Sequence, residues 1–203
     1  IMEFSTLNHN RHKVTEFDGR KLTIADVKAI LSEAVLAPSA HNIQPWHFAI
    51  VVSDEKRYAL STTMHAKNAA QHEGAGATIV VYSDTDLTAR VHDLVAIGDD
   101  FLPDEAKEML LSRLPGMFEK FSDAELSDYL ALNIGLVSQN IVLAAHDKGL
   151  KTNMILGFDK AKAKEVLAIE SRFRPELIIT MGYSDQEGTA SYRLPVNDIT
   201  DVI

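Results

Sequence analysis

One long helical segment, residues 123–148, limits the possible folds of this chain more than any other feature. Its apolar residues, among them Leu130 and Ile134, recur at helical spacing around much of the surface, which is typical of a helix buried in a core. Asp123 is predicted to cap the helix, and Gly149 is predicted to end it. A chain with such a helix must pack other elements around it, so we expect a layered protein with this helix at its centre.

Shorter segments of both kinds surround the long one. Helices are predicted at residues 23–36, 86–94, 104–114 and 159–168, and strands at residues 47–52, 77–82 and 176–181. Thr23 can cap the first of these helices, and Pro38 ends it. Few strands separated by helices favour an α+β fold, specifically an α/β sandwich in which helices flank a central mixed sheet. We see no repeat or linker in the 203 residues and expect one domain over residues 1–203.

Composition and charge exclude several classes of function. The absence of cysteine rules out disulfides, thiolate nucleophiles and iron–sulfur ligation. A net charge of −9 argues against nucleic acid as the main partner. No apolar run is long enough to span a membrane, and Glu3, Asn8 and Arg11 interrupt any signal-like start, so we expect a cytoplasmic protein with no membrane partner. The eight histidines form no HExxH pattern, and no metal site is predicted.

Two segments in the first quarter of the chain could hold a ligand. Residues 11–13, Arg-His-Lys, form a basic run that suits an anion, although a solvated charge run has the same composition. Residues 36–48 place Ser39 and Asn42 on a loop stiffened by prolines, which suits a flat heterocycle. The alternative for this second segment is a tight connection that brings Trp46 into the core.

Two further segments lie in the last third of the chain. Residues 153–158 form an apolar turn in which Gly157 precedes a helix, so backbone N–H groups can be exposed there; a plain strand-to-helix loop reads the same way. Arg193 precedes a tail with apolar residues at Val196 and Ile199. A lone arginine before a tail is most often solvated, but an apolar tail usually docks on another surface.

Taken in this order, the four segments resemble the nitroreductase family. The most specific part is the loop Ala-Pro-Ser-Ala-His-Asn-Ile-Gln-Pro-Trp, and the opening Arg-His and closing Arg-Leu-Pro support it. The resemblance implies a nitroreductase-like fold and a homodimer with FMN at the subunit interface. In this homodimer the C-terminal tail docks on the partner subunit. It also implies ping-pong transfer of hydride from NADH or NADPH to a small electron-poor acceptor, such as a nitroaromatic or a quinone. Because the flavin supplies this chemistry, no catalytic side chain is predicted.

The resemblance also implies which residues bind the cofactor. Arg11, with His12 and Lys13 beside it, and Arg193 are assigned to the FMN phosphate. A loop from the other subunit lines the flavin ring and ribityl chain, an asparagine with a glutamine near it contacts the pyrimidine side, and the late turn donates a backbone N–H to flavin N5. The residues assigned to these three contacts are, in turn, Pro38, Ser39, Ala40 and Asn42; Asn68 and Gln71; and Ile155, Leu156 and Gly157.

The chain departs from the family pattern at four positions. Lys13 stands where many members have serine, and Leu156 where some have glutamate. Thr15 and Ser191 stand where members have a further cation. These differences concern the subgroup and the acceptor, so two alternatives remain open. One is a specialised member, such as a dehalogenase, an oxidase or a flavin-fragmenting enzyme; the other is an FMN-binding protein without turnover.

Overall fold

A computed structural model describes residues 3–203 and confirms the α+β architecture. The helices are α1 (Phe4–Asn10), α2 (Ile24–Ala34), α3 (Asp54–Ser61), α4 (Ala66–Gly74), α5 (Leu87–Ile97), α6 (Asp104–Phe118), α7 (Asp123–Asp147) and α8 (Lys160–Val166). The strands are β1 (Trp46–Ile50), β2 (Ala77–Asp84), β3 (Lys151–Ile155) and β4 (Phe173–Gly182). Short 3-10 turns occupy Ala40–Asn42 and Val196–Ile199.

The long helix α7 lies where its pattern predicts, with one correction at its start. Its N-cap is Ser122, whose hydroxyl accepts from the Glu125 backbone N–H at 3.3 Å, while the Glu125 carboxylate accepts from the Ser122 backbone at 2.8 Å. The predicted cap at Asp123 is therefore wrong by one residue. Asp123 lies in the first turn, where its negative charge suits the helix dipole. Gly149, with φ +79°, follows the helix as predicted.

The sheet has the strand order β1-β2-β4-β3. Each neighbouring pair of these four strands is antiparallel, so the prediction of a mixed sheet is wrong in that detail. Between β1 and β2 the chain passes through two helices, α3 and α4, that pack together. An out-and-back path of this kind starts β2 at the end of the sheet where β1 finished, which makes the two strands antiparallel.

Helices cover both faces of the sheet, which makes the fold a sandwich. The central strand β2 is buried over its whole length, and its side chains alternate between two core clusters. Ile79 and Val81 pack with residues of α2 and α7, including Val27. Val80 and Tyr82 pack on the opposite face with residues of α3 and α8.

A third core cluster lies beside the sheet, between α5, α6 and α7. It contains Leu87 and Val91 of α5, Leu114 of α6 and Leu130 of α7. Ile43, from the segment between α2 and β1, is fully buried in the same cluster. This packing attaches the segment that carries the specific loop to α5 and α7.

The apolar composition of α7 follows from its position in the core. By length and composition α7 could cross a membrane, and it is the one helix in residues 3–203 with that property. Residues such as Ile134 and Ile141 are buried in the core, which accounts for the apolar character of α7.

The C-terminal tail is exposed. From Thr189 to Ile203 every residue is exposed, including the apolar Ile199.

Candidate functional site

The basic run 11–13 lies along the edge of the sheet formed by β3. Lys13 forms bridges with Thr152 on β3 and with Thr189 near the tail. Gly188, with φ +77°, makes this close approach possible, because a Cβ there would lie 2.7 Å from the Lys13 carbonyl oxygen. The run is thus fixed between β3 and the segment that leads into the tail.

Arg11 offers a donor that no part of the described chain uses. Its Nε atom is buried and has no hydrogen-bond partner within residues 3–203. Burial, together with the positive charges of Lys151 and Arg11, lowers the pKa of His146. Lys151, which the sequence did not single out, therefore belongs to the same cationic cluster as Arg11, and His146 lies beside them with the neutral form of its ring favoured. A buried unpaired donor among cations fits an anion such as a phosphate.

A second group of predicted residues meets where α4 faces the turn after β3. Asn68 Nδ2 donates to the Gly157 carbonyl at 3.3 Å. Asn153 Nδ2 donates to Gln71 Oε1 at 2.5 Å, and both of these side chains are buried. The structure therefore brings α4 and the late turn together, and it adds Asn153 to the site.

The side chains of the late turn face different surroundings. Ile155 is buried in the core, so only its backbone can line a ligand site. Leu156 is 71% exposed. The apolar turn predicted at residues 153–158 is thus partly wrong, because residues 153–155 continue β3 and only the last part turns.

Two open cavities flank this junction. One, of about 430 Å³, is lined by residues 15–17 after the basic run and by α4 residues that include Gln71. The other, of about 450 Å³, is lined by residues 62–65 and 156–159. The segment after the basic run therefore shares one cavity with α4, and the late turn lines the other.

The loop at residues 38–44 has an unusual backbone. His41, Asn42 and Gln44 have φ of 56°, 53° and 48°, a region that residues other than glycine rarely adopt. Its Pro38 and Asn42 are exposed, and Ser39 and Ala40 are half-buried. Trp46, immediately after the loop, is buried, so the segment does bring this side chain into the core.

The structure does not gather all predicted residues in one place. The 38–44 loop contacts α5 and α7, whereas the basic run lies along β3. Arg193 is exposed, and within residues 3–203 its guanidinium donates only to the carbonyls of Ser191 and Tyr192. The role of Arg193 at the phosphate stays a prediction.

Comparison with known proteins decides the family. The model of the nitroreductase family matches residues 9–183. This chain belongs to the nitroreductase family. Spy0809 of Streptococcus pyogenes, provisionally named an NAD(P)H nitroreductase, is 40% identical over 200 residues, which cover 98% of this chain and 99% of that protein.

Solved structures of nitroreductase-family proteins have the same fold. A family member from Streptococcus pneumoniae has a TM-score of 0.94 and 43% identity, covering 99% of this chain and 100% of that one. A provisionally assigned nitroreductase from Exiguobacterium sibiricum, crystallised in complex with FMN, has a TM-score of 0.92 and 29% identity, covering 100% and 98%. In residues 3–203 of this nitroreductase-family chain, no three His, Asp or Glu side chains are placed to hold a metal ion.

Proposed function

We propose that this chain transfers hydride from NADH or NADPH to an electron-poor acceptor, such as a nitroaromatic or a quinone, by a ping-pong mechanism. Membership of the nitroreductase family makes it an FMN-dependent NAD(P)H oxidoreductase. The cofactor site that we propose is carried by one observation, the buried and unpartnered Nε of Arg11 within a cationic cluster. A terminal phosphate would supply the missing acceptor, with Lys13 and Lys151 adding positive charge.

The protein's own contribution is to bind and orient the cofactor. When bound, FMN supplies the hydride chemistry at N5 of its ring. Gln71 Oε1 already accepts a hydrogen bond from Asn153. The amide nitrogen of Gln71 can therefore donate to a flavin carbonyl. In the same way Ser39 Oγ accepts from the Gln44 backbone at 2.9 Å, which leaves the Ser39 hydroxyl hydrogen for a ligand. These side chains hold donors in fixed directions, and none of them transfers a proton.

We also propose a homodimer in which the 38–44 loop of one subunit meets the basic run of the other. Two exposed apolar surfaces support this arrangement. On α7, Leu132 is 64% exposed and Leu136 lies one turn further on, with open space at Gly135 between them. The C-terminal tail also exposes apolar side chains. We place the dimer in the cytoplasm, where NAD(P)H is supplied.

Identification of the bound ligand and an acceptor screen test the proposed function. Ligand released by heat from the purified protein should chromatograph as FMN, and NAD(P)H oxidation should depend on an added quinone or nitroaromatic. Initial rates should give parallel double-reciprocal lines, as ping-pong kinetics require. FAD in place of FMN, or no flavin after reconstitution, would contradict the cofactor assignment. FMN without acceptor-dependent turnover would favour a flavin-binding protein instead.

A further inference from the structure

Gln44 is the most unusual residue in the backbone of the 38–44 loop. Asparagine and histidine tolerate a positive φ better than most residues, which suits Asn42 and His41. Gln44 is neither, and it precedes Pro45, whose ring further restricts the backbone of the residue before it. Such a conformation persists only where the surrounding structure holds it, so the contacts of Gln44 indicate what fixes the loop.

Arg90 of α5 binds the backbone carbonyl of Gln44. Its Nε donates to the Gln44 carbonyl at 3.0 Å, and its Nη2 donates to the same oxygen. Nη2 also reaches the Trp46 carbonyl at 3.2 Å, and Nε the Ile43 carbonyl at 3.4 Å. The Gln44 N–H is bound by Ser39 Oγ. Both backbone polar groups of Gln44 are therefore held by side chains.

Arg90 makes these bonds without a direct counter-ion. Within residues 3–203 no carboxylate forms an ion pair with it, and the nearby Asp84 is bound by Arg172 at 2.9 Å. Burial lowers the pKa of Arg90. A half-buried guanidinium is tolerated when its donors are used, and all the bonds described for Arg90 go to residues 43, 44 and 46.

Two side chains of α7 hold the other end of the loop. Asn133, which is fully buried, accepts from the Ala40 backbone N–H at 2.8 Å and donates to the Tyr129 carbonyl at 2.7 Å. The Tyr129 hydroxyl donates to the Ala40 carbonyl at 2.9 Å. Burial raises the pKa of Tyr129 to about 12, so this hydroxyl keeps its proton near neutral pH.

We propose that Arg90, supported by Asn133 and Tyr129, is a positioning residue that holds the 38–44 loop in its FMN-binding conformation before the cofactor arrives. The proposal rests on the proposed function only in that the loop contacts FMN. A loop that is already ordered does not lose conformational freedom on binding, which raises affinity. Arg90 acts through the Gln44 backbone and needs no contact with FMN.

Arg90→Met tests this proposal, because it removes the guanidinium and keeps an unbranched stem. In the FMN-free protein, amide hydrogen exchange at residues 39–44 should become faster, and the Kd for FMN should rise about tenfold. Lys56→Met is the matched control. Its ammonium also donates to a backbone carbonyl, that of Val166 at 2.8 Å, but between α3 and α8. This control should change neither the exchange at residues 39–44 nor the Kd.

A second substitution separates positioning from general damage. Glycine adopts a positive φ without strain, so adding Gln44→Gly to Arg90→Met should recover part of the FMN affinity. If Arg90→Met does not fold, Arg90→Lys keeps the charge and loses the planar fork, and the same comparison applies to it. Unchanged exchange at residues 39–44, or no gain from Gln44→Gly, would overturn the proposal. A wild-type protein that binds no FMN would overturn the proposed function instead, while the exchange measurement still decides whether Arg90 holds the loop.

Discussion

Arg11 has a buried donor without a partner in residues 3–203 and lies among cations. Its substitution should therefore have opposite effects on FMN binding and on the stability of the FMN-free protein. Arg11→Met should weaken FMN binding about tenfold to hundredfold, since a charge-assisted contact contributes about 1.5–3 kcal/mol. The same change removes a buried donor without a partner, so the Tm of the FMN-free protein should stay the same or rise. Fluorescence titration and thermal melts measure the two effects.

The control for this prediction is Arg113→Met, which removes an exposed cation on α6. Unchanged FMN affinity in Arg11→Met would show that the phosphate lies elsewhere.

Individual residues of the site differed in how well the sequence could predict them. The basic run and the 38–44 loop are contiguous in sequence, so their residue types indicated a ligand directly. Arg90 and Asn153 were missed, because their partners lie 46 and 82 residues away and only the fold brings them together. On its own helix Arg90 is indistinguishable from a solvated arginine.

Among the helices and strands, length and apolar periodicity decided what the sequence could predict. The helices α2 and α7 were predicted close to their observed bounds, because each has a repeated apolar face and a capping residue. The elements α1, α3, α4 and β3 were not predicted. In α1 the one buried residue is Leu7, and the buried residues of α3 and α4 include the polar Ser61, Gln71 and His72. The strand β3 begins with the polar Lys151, Thr152 and Asn153. Their stability comes from packing on neighbours, which leaves little periodic signal.

The turn after β3 gives a prediction about backbone donors. The family resemblance assigns its backbone N–H to flavin N5, and the exposed Leu156 side chain makes few contacts. We therefore expect Leu156→Ala to keep FMN and most of the rate of reduction by NAD(P)H in stopped-flow experiments. Leu156→Pro and Gly157→Pro each remove one N–H, and at least one should lower the rate substantially, because a fixed donor stabilises charge that develops at N5.

Gly157→Ala is the control for this turn. A Cβ at Gly157 would meet Asn68 Nδ2 at 3.5 Å, an ordinary contact, and the N–H remains. This variant should reduce at close to the wild-type rate. If both proline variants fold, bind FMN and are reduced as fast as the wild type, no backbone donor in this turn assists the reaction.

At the level of the whole molecule, the residues predicted to bind FMN lie in two separate regions of one chain. The sandwich positions the basic run along β3 and the 38–44 loop against α5 and α7. Within residues 3–203 the apolar side chains of the tail are not buried, since residues 189–203 are all exposed. The sequence predicted a docking tail from these apolar residues, but a pattern within one chain does not specify the surface that receives it.

Removing residues 194–203 tests whether the tail completes the molecule. Without the exposed Leu194, Val196 and Ile199, a dimer would lose apolar contact area, and the two halves of each proposed site would separate. We expect the truncated protein to shift toward monomer in light scattering and to lose FMN affinity in parallel. Asp201→Asn, an exposed polar change in the same tail, should alter neither property. A full-length protein that is monomeric while it binds FMN would contradict the dimeric site, and a truncated protein that remains a dimer with full FMN affinity would show that the tail has no part in it.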